Sequence, residues 1–372
     1  MRKWQSYKNL GDVVTIIMGQ SPSSDTYNDK EGLPFFQGNA DFGKEHPTVR
    51  VFCNSPIRIA EPNDILISVR APIGAINIAD RQCCIGRGLA AIRGANSVSN
   101  RFLYFFLTAS KNTLISQGTG STFKSIGKDA LKNLQMPVFN LNEQERIVSE
   151  LDLLAGIIDK QKQQLKELDT LAQSIFYDMF GSPDANEKEW IMKSLAEIGT
   201  IVSGSTPSTS DESNWDGDVN WVTPAELGVQ LFYGETRRKI TSKAAKSLTI
   251  MPIGTLLMSS RAPIGKLAIT SVPMCCNQGF KNIVCGNNVN NIYLYYCLML
   301  NINSIKAMGR GATFKEVSKQ AVSSFEIMLP PMNLQELFAQ KILSIESQKK
   351  SINRSLAESQ KLFDYTMDKY FG

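Results

Sequence analysis

Leu66-Ile-Ser-Val-Arg-Ala-Pro-Ile-Gly74 returns as Leu257-Met-Ser-Ser-Arg-Ala-Pro-Ile-Gly265, 191 residues further along the chain. Each copy runs on to a Cys-Cys pair and a glycine, Cys83-Cys84 to Gly88 and Cys275-Cys276 to Gly279. The same offset carries Gly118-Thr-Gly-Ser-Thr-Phe-Lys124 onto Gly309-Arg-Gly-Ala-Thr-Phe-Lys315, and Asn142-Glu-Gln-Glu145 onto Asn333-Leu-Gln-Glu336. It also carries Phe180-Gly181 onto Phe371-Gly372. Nearer the start the offset is 185, relating Leu10-Gly-Asp-Val13 to Leu195-Ala-Glu-Ile198 and Gly19-Gln-Ser-Pro22 to Gly204-Ser-Thr-Pro207. Landmarks that recur in order at a fixed spacing mark an internal duplication, and each copy must then build its own core. The second copy is longer by about six residues, which the polar stretch Ser208–Gly217 absorbs as a loop.

The composition fits that reading. The chain has 372 residues, 42% hydrophobic and 20% charged, enough for two domains with real cores. Disordered, collagenous and disulfide-scaffold classes are excluded. Seven cysteines without a C-x-x-C pair, and His46 as the single histidine, argue against a zinc site and against His-dependent triads. Apolar runs such as Ile292–Leu300 fall far short of the roughly 20 residues that span a bilayer. The opening Met1-Arg-Lys-Trp-Gln5 lacks the apolar core of a signal peptide, so a cytoplasmic location is expected.

Within each copy, short β-rich runs broken by Gly and Pro precede a long helix. Ile65–Val69 and Ala75–Ile78 read as strands; Arg101–Ser110, behind Ser99-Asn100 as N-cap, reads as a buried helix with Tyr293–Leu300 as its counterpart. From Glu143 to Phe180 there is no proline, and apolar residues follow interleaved sevens. One series holds Ile147, Leu154, Gln161, Leu168 and Ile175; the other holds Leu151, Ile158, Leu165, Ala172 and Met179. In the second copy the same positions hold Phe338, Ile345, Ile352, Ser359, Thr366 and Ile342, Lys349, Leu356, Phe363, Tyr370. Sevens of this kind predict a coiled-coil seam. A helix of 38 residues extends for about 57 Å. The simplest arrangement is one antiparallel pair; the alternative is that each helix packs on its own globular part. The first helix carries a net −4 and the second +1, so the total of +5 leaves +8 on the globular parts, where a polyanion would bind.

The order globular part, long helix, globular part, long helix, with Trp4 and Trp190 ahead of Leu-Gly-Asp-Val and Leu-Ala-Glu-Ile, closely resembles the specificity (S) subunits of Type I restriction-modification systems. The resemblance covers nearly the whole chain. It implies an α+β fold in which two similar α/β target-recognition domains are joined by two long helices forming an antiparallel coiled coil with pseudo-two-fold symmetry. The expected boundaries are 1–142 and 182–333 for the recognition domains, and 143–181 and 334–372 for the spacer helices. It further implies that each domain reads one half of a bipartite double-stranded DNA site, that the coil sets the spacer, and that the chain has no catalytic activity. Two modification (methyltransferase) subunits and the restriction (ATP-dependent translocase/endonuclease) subunits are the implied partners. S-adenosylmethionine, ATP and Mg²⁺ would sit on those partners, with no cofactor or metal in this chain and no membrane.

Several residues become candidates on that basis. The loop Gly118–Lys124 is no Walker A motif, because Phe123 precedes the lysine. Its backbone amides with Thr119, Ser121, Thr122 and Lys124, and Arg310, Thr313 and Lys315 in the second copy, are expected at phosphates or base edges. Arg70 and Arg261 sit at strand ends, as structural ion pairs or as guanidinia directed into a groove. Arg87 in Gly86-Arg-Gly88 and Gln278 before Gly279-Phe-Lys281 occupy corresponding positions; arginine favours guanine and glutamine adenine. Lys281 is included with them. The tip loops Gln20–Asp25 and Ser205–Asp211 add Ser21, Ser23 and Thr206. Tyr104-Phe105-Phe106 and Tyr293–Tyr296 read as core, and the cysteine pairs as small buried residues. Lys160, Lys162, Lys166, Lys349, Lys350 and Arg354 are expected on exposed helix faces where modification subunits dock. A methyltransferase would need an Asn/Asp-Pro-Pro-Tyr-type tetrapeptide, and none is present. The competing function is a non-catalytic two-headed coiled-coil adaptor between proteins.

Overall fold

The computed structural model describes residues 6–120, 124–228, 230–261, 263–310 and 315–372. They form two compact units, Met1–Lys162 with Asn353–Gly372, and Gln163–Ile352. In the first, Leu89–Gly94 runs antiparallel between Val14–Met18 and Ile65–Ser68, with Ile76–Ile78 at the far edge. Side chains alternate across a strand, so Ile65, Ile67, Ala90 and Ile92 pack with Phe102, Leu103 and Phe106 of the helix Asn100–Ala109. Leu66, Leu89 and Ala91 pack instead with Phe36, Cys83 and Ile85 of a second, five-stranded sheet. Burial on both faces is why these strands read as continuous apolar runs.

The second unit repeats the frame pair for pair. Ile92 opposite Ile65 becomes Ile283 opposite Leu256. The parallel pair Phe35 and Cys84 becomes Trp221 and Cys275. Lys8 opposite Met136 becomes Lys193 opposite Ile327. The repeated motifs have evident physical work. Ser68 Oγ donates to Pro72 O at 2.6 Å and accepts from Ala75 N at 2.9 Å; Ser259 does the same with Pro263 and Lys266 at 2.7 and 2.8 Å. Gly74 and Gly265 close those turns at φ +82° and +87°, where a side chain would be strained. The glutamines of the Asn-x-Gln-Glu motif, Gln144 and Gln335, are buried. Gln144 accepts from Ser99 N at 2.9 Å and Gln335 from Asn290 N at 2.8 Å, tying each long helix to the start of the short buried one.

The long helices are Leu141–Phe180 and Met332–Phe371. They pack together as an antiparallel pair. In the first unit Tyr370 OH donates to Glu150 Oε2 at 2.8 Å and Gln161 Nε2 donates to Ser355 Oγ at 2.9 Å. In the second, Asp169 pairs with Lys349 at 2.8 Å, and Phe176 and Phe180 lie 5.5 and 5.4 Å from the Phe338 ring. Each helix end also enters the core of a globular part: Ile147, Leu151 and Tyr370 join Phe102 in one unit, and Phe176, Phe180 and Phe338 join Tyr293 in the other. Helix pairing and packing on the globular part, read as alternatives from the sequence, are both present.

The seam residues Ile147, Leu151, Leu154 and Ile158 are buried, as are Phe338, Ile342 and Ile345, while Leu165, Leu168, Ile352, Leu356 and Phe363 are half-buried. Toward the end of the first helix the buried set departs from the sevens. Ile175 and Met179 are half-buried, and Ala172, Phe176 and Phe180 are buried in steps of four. An untwisted helix of 3.6 residues per turn drifts off a 3.5 repeat, and there Phe176 and Phe180 meet the globular core together with Phe338 of the partner helix. Two further expectations are corrected. A short helix over Lys124–Leu134, which the sequence suggests after the Gly-rich loop, spans only Lys128–Lys132, because Ser125 is held in bridges with Arg70 and Thr119. Trp215–Gly217 lie on a strand, Trp215–Val222, because Trp215 is buried against Trp221. No helix among the described residues is long and apolar enough to cross a membrane.

Candidate nucleic-acid interface

In the first unit the strand corner and two loops converge. Val69 N donates to Gly88 O at 2.9 Å and Gln20 N to Ile85 O at 3.0 Å. These bonds hold Gly86-Arg-Gly88 between the corner and the tip loop. A side chain at Gly88 would lie 2.2 Å from Gln37 O, so glycine permits the close approach. Arg87 N donates to Ser21 Oγ at 3.2 Å. Ser21, Arg70 and Arg87, distant in sequence, thus line one cleft of about 370 Å³ with Gln37, Asn39 and Ala71. Both guanidinia are exposed, and neither has an ion-pair partner among the described residues.

The Gly-rich loop meets this corner through its backbone. Thr119 and Ser125 exchange backbone bonds at 3.0 and 2.9 Å, and Ala71 N donates to Lys124 O at 3.1 Å. Thr119 and Lys124 are exposed. Ser121, Thr122 and Thr313 lie outside the described residues. Ser23 is exposed at the start of a 3-10 turn and does not line the cleft.

The second unit keeps the frame and changes the chemistry. Ser260 N donates to Gly279 O at 2.7 Å, as Val69 does to Gly88. Thr206 Oγ1 donates to Gln278 Oε1, which joins the tip loop to the position equivalent to Arg87. Arg261 Nε lies 3.0 Å from Glu316 Oε2, and Lys281 Nζ 3.3 Å from Glu316 Oε1. Desolvation raises the Glu316 carboxyl, but these two cations win and hold it below the ordinary carboxylate range. Lys281 is only 8% exposed, so it does not present its ammonium to a ligand as the sequence suggested; Glu316 and Ser260 hold it inside. Arg310 and Lys315 are exposed, and Arg310 lines a depression of about 780 Å³ with Glu316 and Ser318.

Other features escaped the sequence reading. Arg237, Arg238, Lys239, Lys243 and Lys246 form an exposed basic strip without an ion-pair partner among the described residues. The absence of any acid between 236 and 249 was the available signal. Arg238 lies over the Trp215 ring at 3.6 Å. Trp215 and Trp221 also donate from Nε1 to Ser208 O and Ser205 O at 3.3 and 3.2 Å, bracing the tip loop. Glu316, Gln37 and Asn39 were likewise invisible, because only folding brings them to the corner. On the long helices Lys349 is not a free docking cation: it is half-buried at the seam between Asp169 and Glu346, both at 2.8 Å. Burial pushes the Cys83 and Cys276 thiols up to about 12, which leaves them unreactive near neutrality. Among the described residues no group of His, Cys, Asp or Glu is disposed to hold a metal.

A duplicated α/β domain with differing polar corners on a shared frame, each copy followed by a long helix, defines the class of fold. The family model for the Type I restriction modification DNA specificity domain matches residues 1–170 and again 187–358, and the chain belongs to that family. It is 41% identical over 157 residues to a putative Type I restriction enzyme MjaX specificity subunit of Methanocaldococcus jannaschii, covering 41% of this chain and 37% of that one. The match to the MjaIX specificity subunit of the same organism is 39% over 158 residues and likewise spans 37% of its length. The EcoR124I/EcoR124II specificity subunit of Escherichia coli is 23% identical over 296 residues, 74% of this chain and 72% of that one. The crystal structure of a Type I restriction-modification S subunit from M. genitalium shares the fold, with a TM-score of 0.64 at 15% identity, covering 99% of this chain and 96% of that one. A chain from a structural study of Type I restriction-modification complex assembly gives 0.63 at 18% identity, covering 100% and 99%.

Proposed function

We propose that the chain is the sequence-reading subunit of a Type I restriction-modification complex, each head reading one half of a bipartite duplex site and the paired helices setting the spacer. Modification and restriction subunits would bring the methyl donor, ATP, Mg²⁺ and all catalysis. The observation that carries this reading is the cleft that gathers Ser21, Arg70 and Arg87 at a corner whose equivalent in the other head carries Thr206, Arg261 and Gln278. A shared frame with exchanged polar groups suits two related but different half-sites, since a guanidinium matches guanine and an amide matches adenine. The basic strip Arg237–Lys246 supplies charge for the phosphate backbone beside the second tip loop. Fluorescence anisotropy of the chain with duplex DNA across a salt series tests it. A DNA reader loses affinity linearly on a log–log scale; a protein adaptor shows no such binding.

A further inference from the structure

The two heads arrange charge differently at the same backbone corner. Arg70 bridges Ser125 and Arg261 bridges Glu316, at positions related by the offset of 191. Opposite Arg70 there is only a hydroxyl, and the positions equivalent to Lys281 and Ser260 are Ala90 and Val69. In the second head one Glu316 oxygen takes Arg261 Nε at 3.0 Å, and the other takes the buried Lys281 ammonium at 3.3 Å. Burying a lysine is costly even when it is paired. The first head builds the same frame with alanine, so the fold itself does not require that ammonium.

We propose that Glu316, anchored by Lys281, is a positioning residue that holds Arg261 in one orientation for reading a base edge in the second half-site. Pairing through Nε leaves the terminal edge of the guanidinium, which is the edge that meets guanine O6 and N7. Arg261 remains 49% exposed while so held. A fixed arginine loses less side-chain freedom on binding. The contact therefore discriminates more than Arg70, which has no ion-pair partner among the described residues. This inference rests on the DNA-reading function proposed above.

Selection of the full chain on a pool of random 40-bp duplexes, with sequencing of the bound fraction, reads both half-sites at once. In E316S, which installs the residue of the other head, enrichment at the second half-site should fall about tenfold while the first stays unchanged. Binding to one fixed unrelated 40-bp duplex should tighten, with a log–log salt slope steeper by about 0.9. E316S/K281A removes the orphaned buried ammonium, leaves the net charge of the corner as in wild type, and should show the same loss at the second half-site in a chain of native thermal stability. The reciprocal S125E should weaken binding to the unrelated duplex and flatten its slope. An unchanged second half-site in folded E316S/K281A overturns the inference. A wild-type chain that enriches no sequence removes the DNA-reading function itself, which is a different result.

Discussion

Arg87 and Gln278 occupy one turn in two copies, and the chemistry of that turn is decided by a single side chain. Arg87→Ala should relax preference at one base pair of the first half-site, a loss of about 1–3 kcal/mol in base discrimination, and leave the second half-site intact. Selection from random duplexes measures both; an equal loss on every sequence would reduce Arg87 to a phosphate contact. Glu197 offers a prediction in pH. Its hydrogen bond with Lys193, and those with the backbone and hydroxyl of Ser194, hold the carboxyl down to about 2 from an ordinary 4.5. Because the folded value lies below the free one, the stabilisation is complete above about pH 4.5 and is lost as the pH falls through about 2. The gap in urea midpoint between wild type and E197Q should therefore close over that interval. A gap that persists at pH 2 would belong to packing.

Among the elements, the long helices show what a heptad reading captures and where it fails. Ile147 to Ile158 and Phe338 to Ile345 are buried where the sevens place them. The slip to Phe176 and Phe180 was not legible, because the core those rings enter is assembled from segments scattered from Leu195 to Phe338. Phe176→Ala should cost about 3–5 kcal/mol in unfolding free energy, against much less for half-buried Leu165→Ala, by urea denaturation. Gln161 Oε1 is buried without a partner. Gln161→Leu should raise the thermal midpoint, since a seam leucine leaves no unsatisfied acceptor. The strands Ile65–Ser68 and Ile76–Ile78 and the buried helices Asn100–Ala109 and Asn291–Leu300 were legible from their apolar runs. The corner was only half legible: sequence pointed to Arg70, Arg87 and Gln278, but Glu316 stands 55 residues from Arg261 and gives no local sign of pairing with it.

At the scale of the whole molecule the duplication was the clearest signal, because the same offsets, near 185 early in each copy and 191 later, relate backbone pairs as well as letters. Inserting seven residues at equivalent points of both long helices lengthens them by about 10 Å, or about three base pairs. The expected outcome is a spacer longer by that amount between unaltered half-sites, read by mapping methylation in cells that express the chain with its modification partner. A changed half-site at constant spacer would count against the helices as the ruler.

Phe363, Met367, Tyr370 and Phe371 pack into the core around Phe102. The head made earlier on the ribosome therefore lacks part of its interior until residues 353–372 have been synthesised, whereas the described residues of the second lie within Gln163–Ile352. Completion runs opposite to translation, and removing 353–372 should open the earlier-made head to proteolysis while sparing the later one.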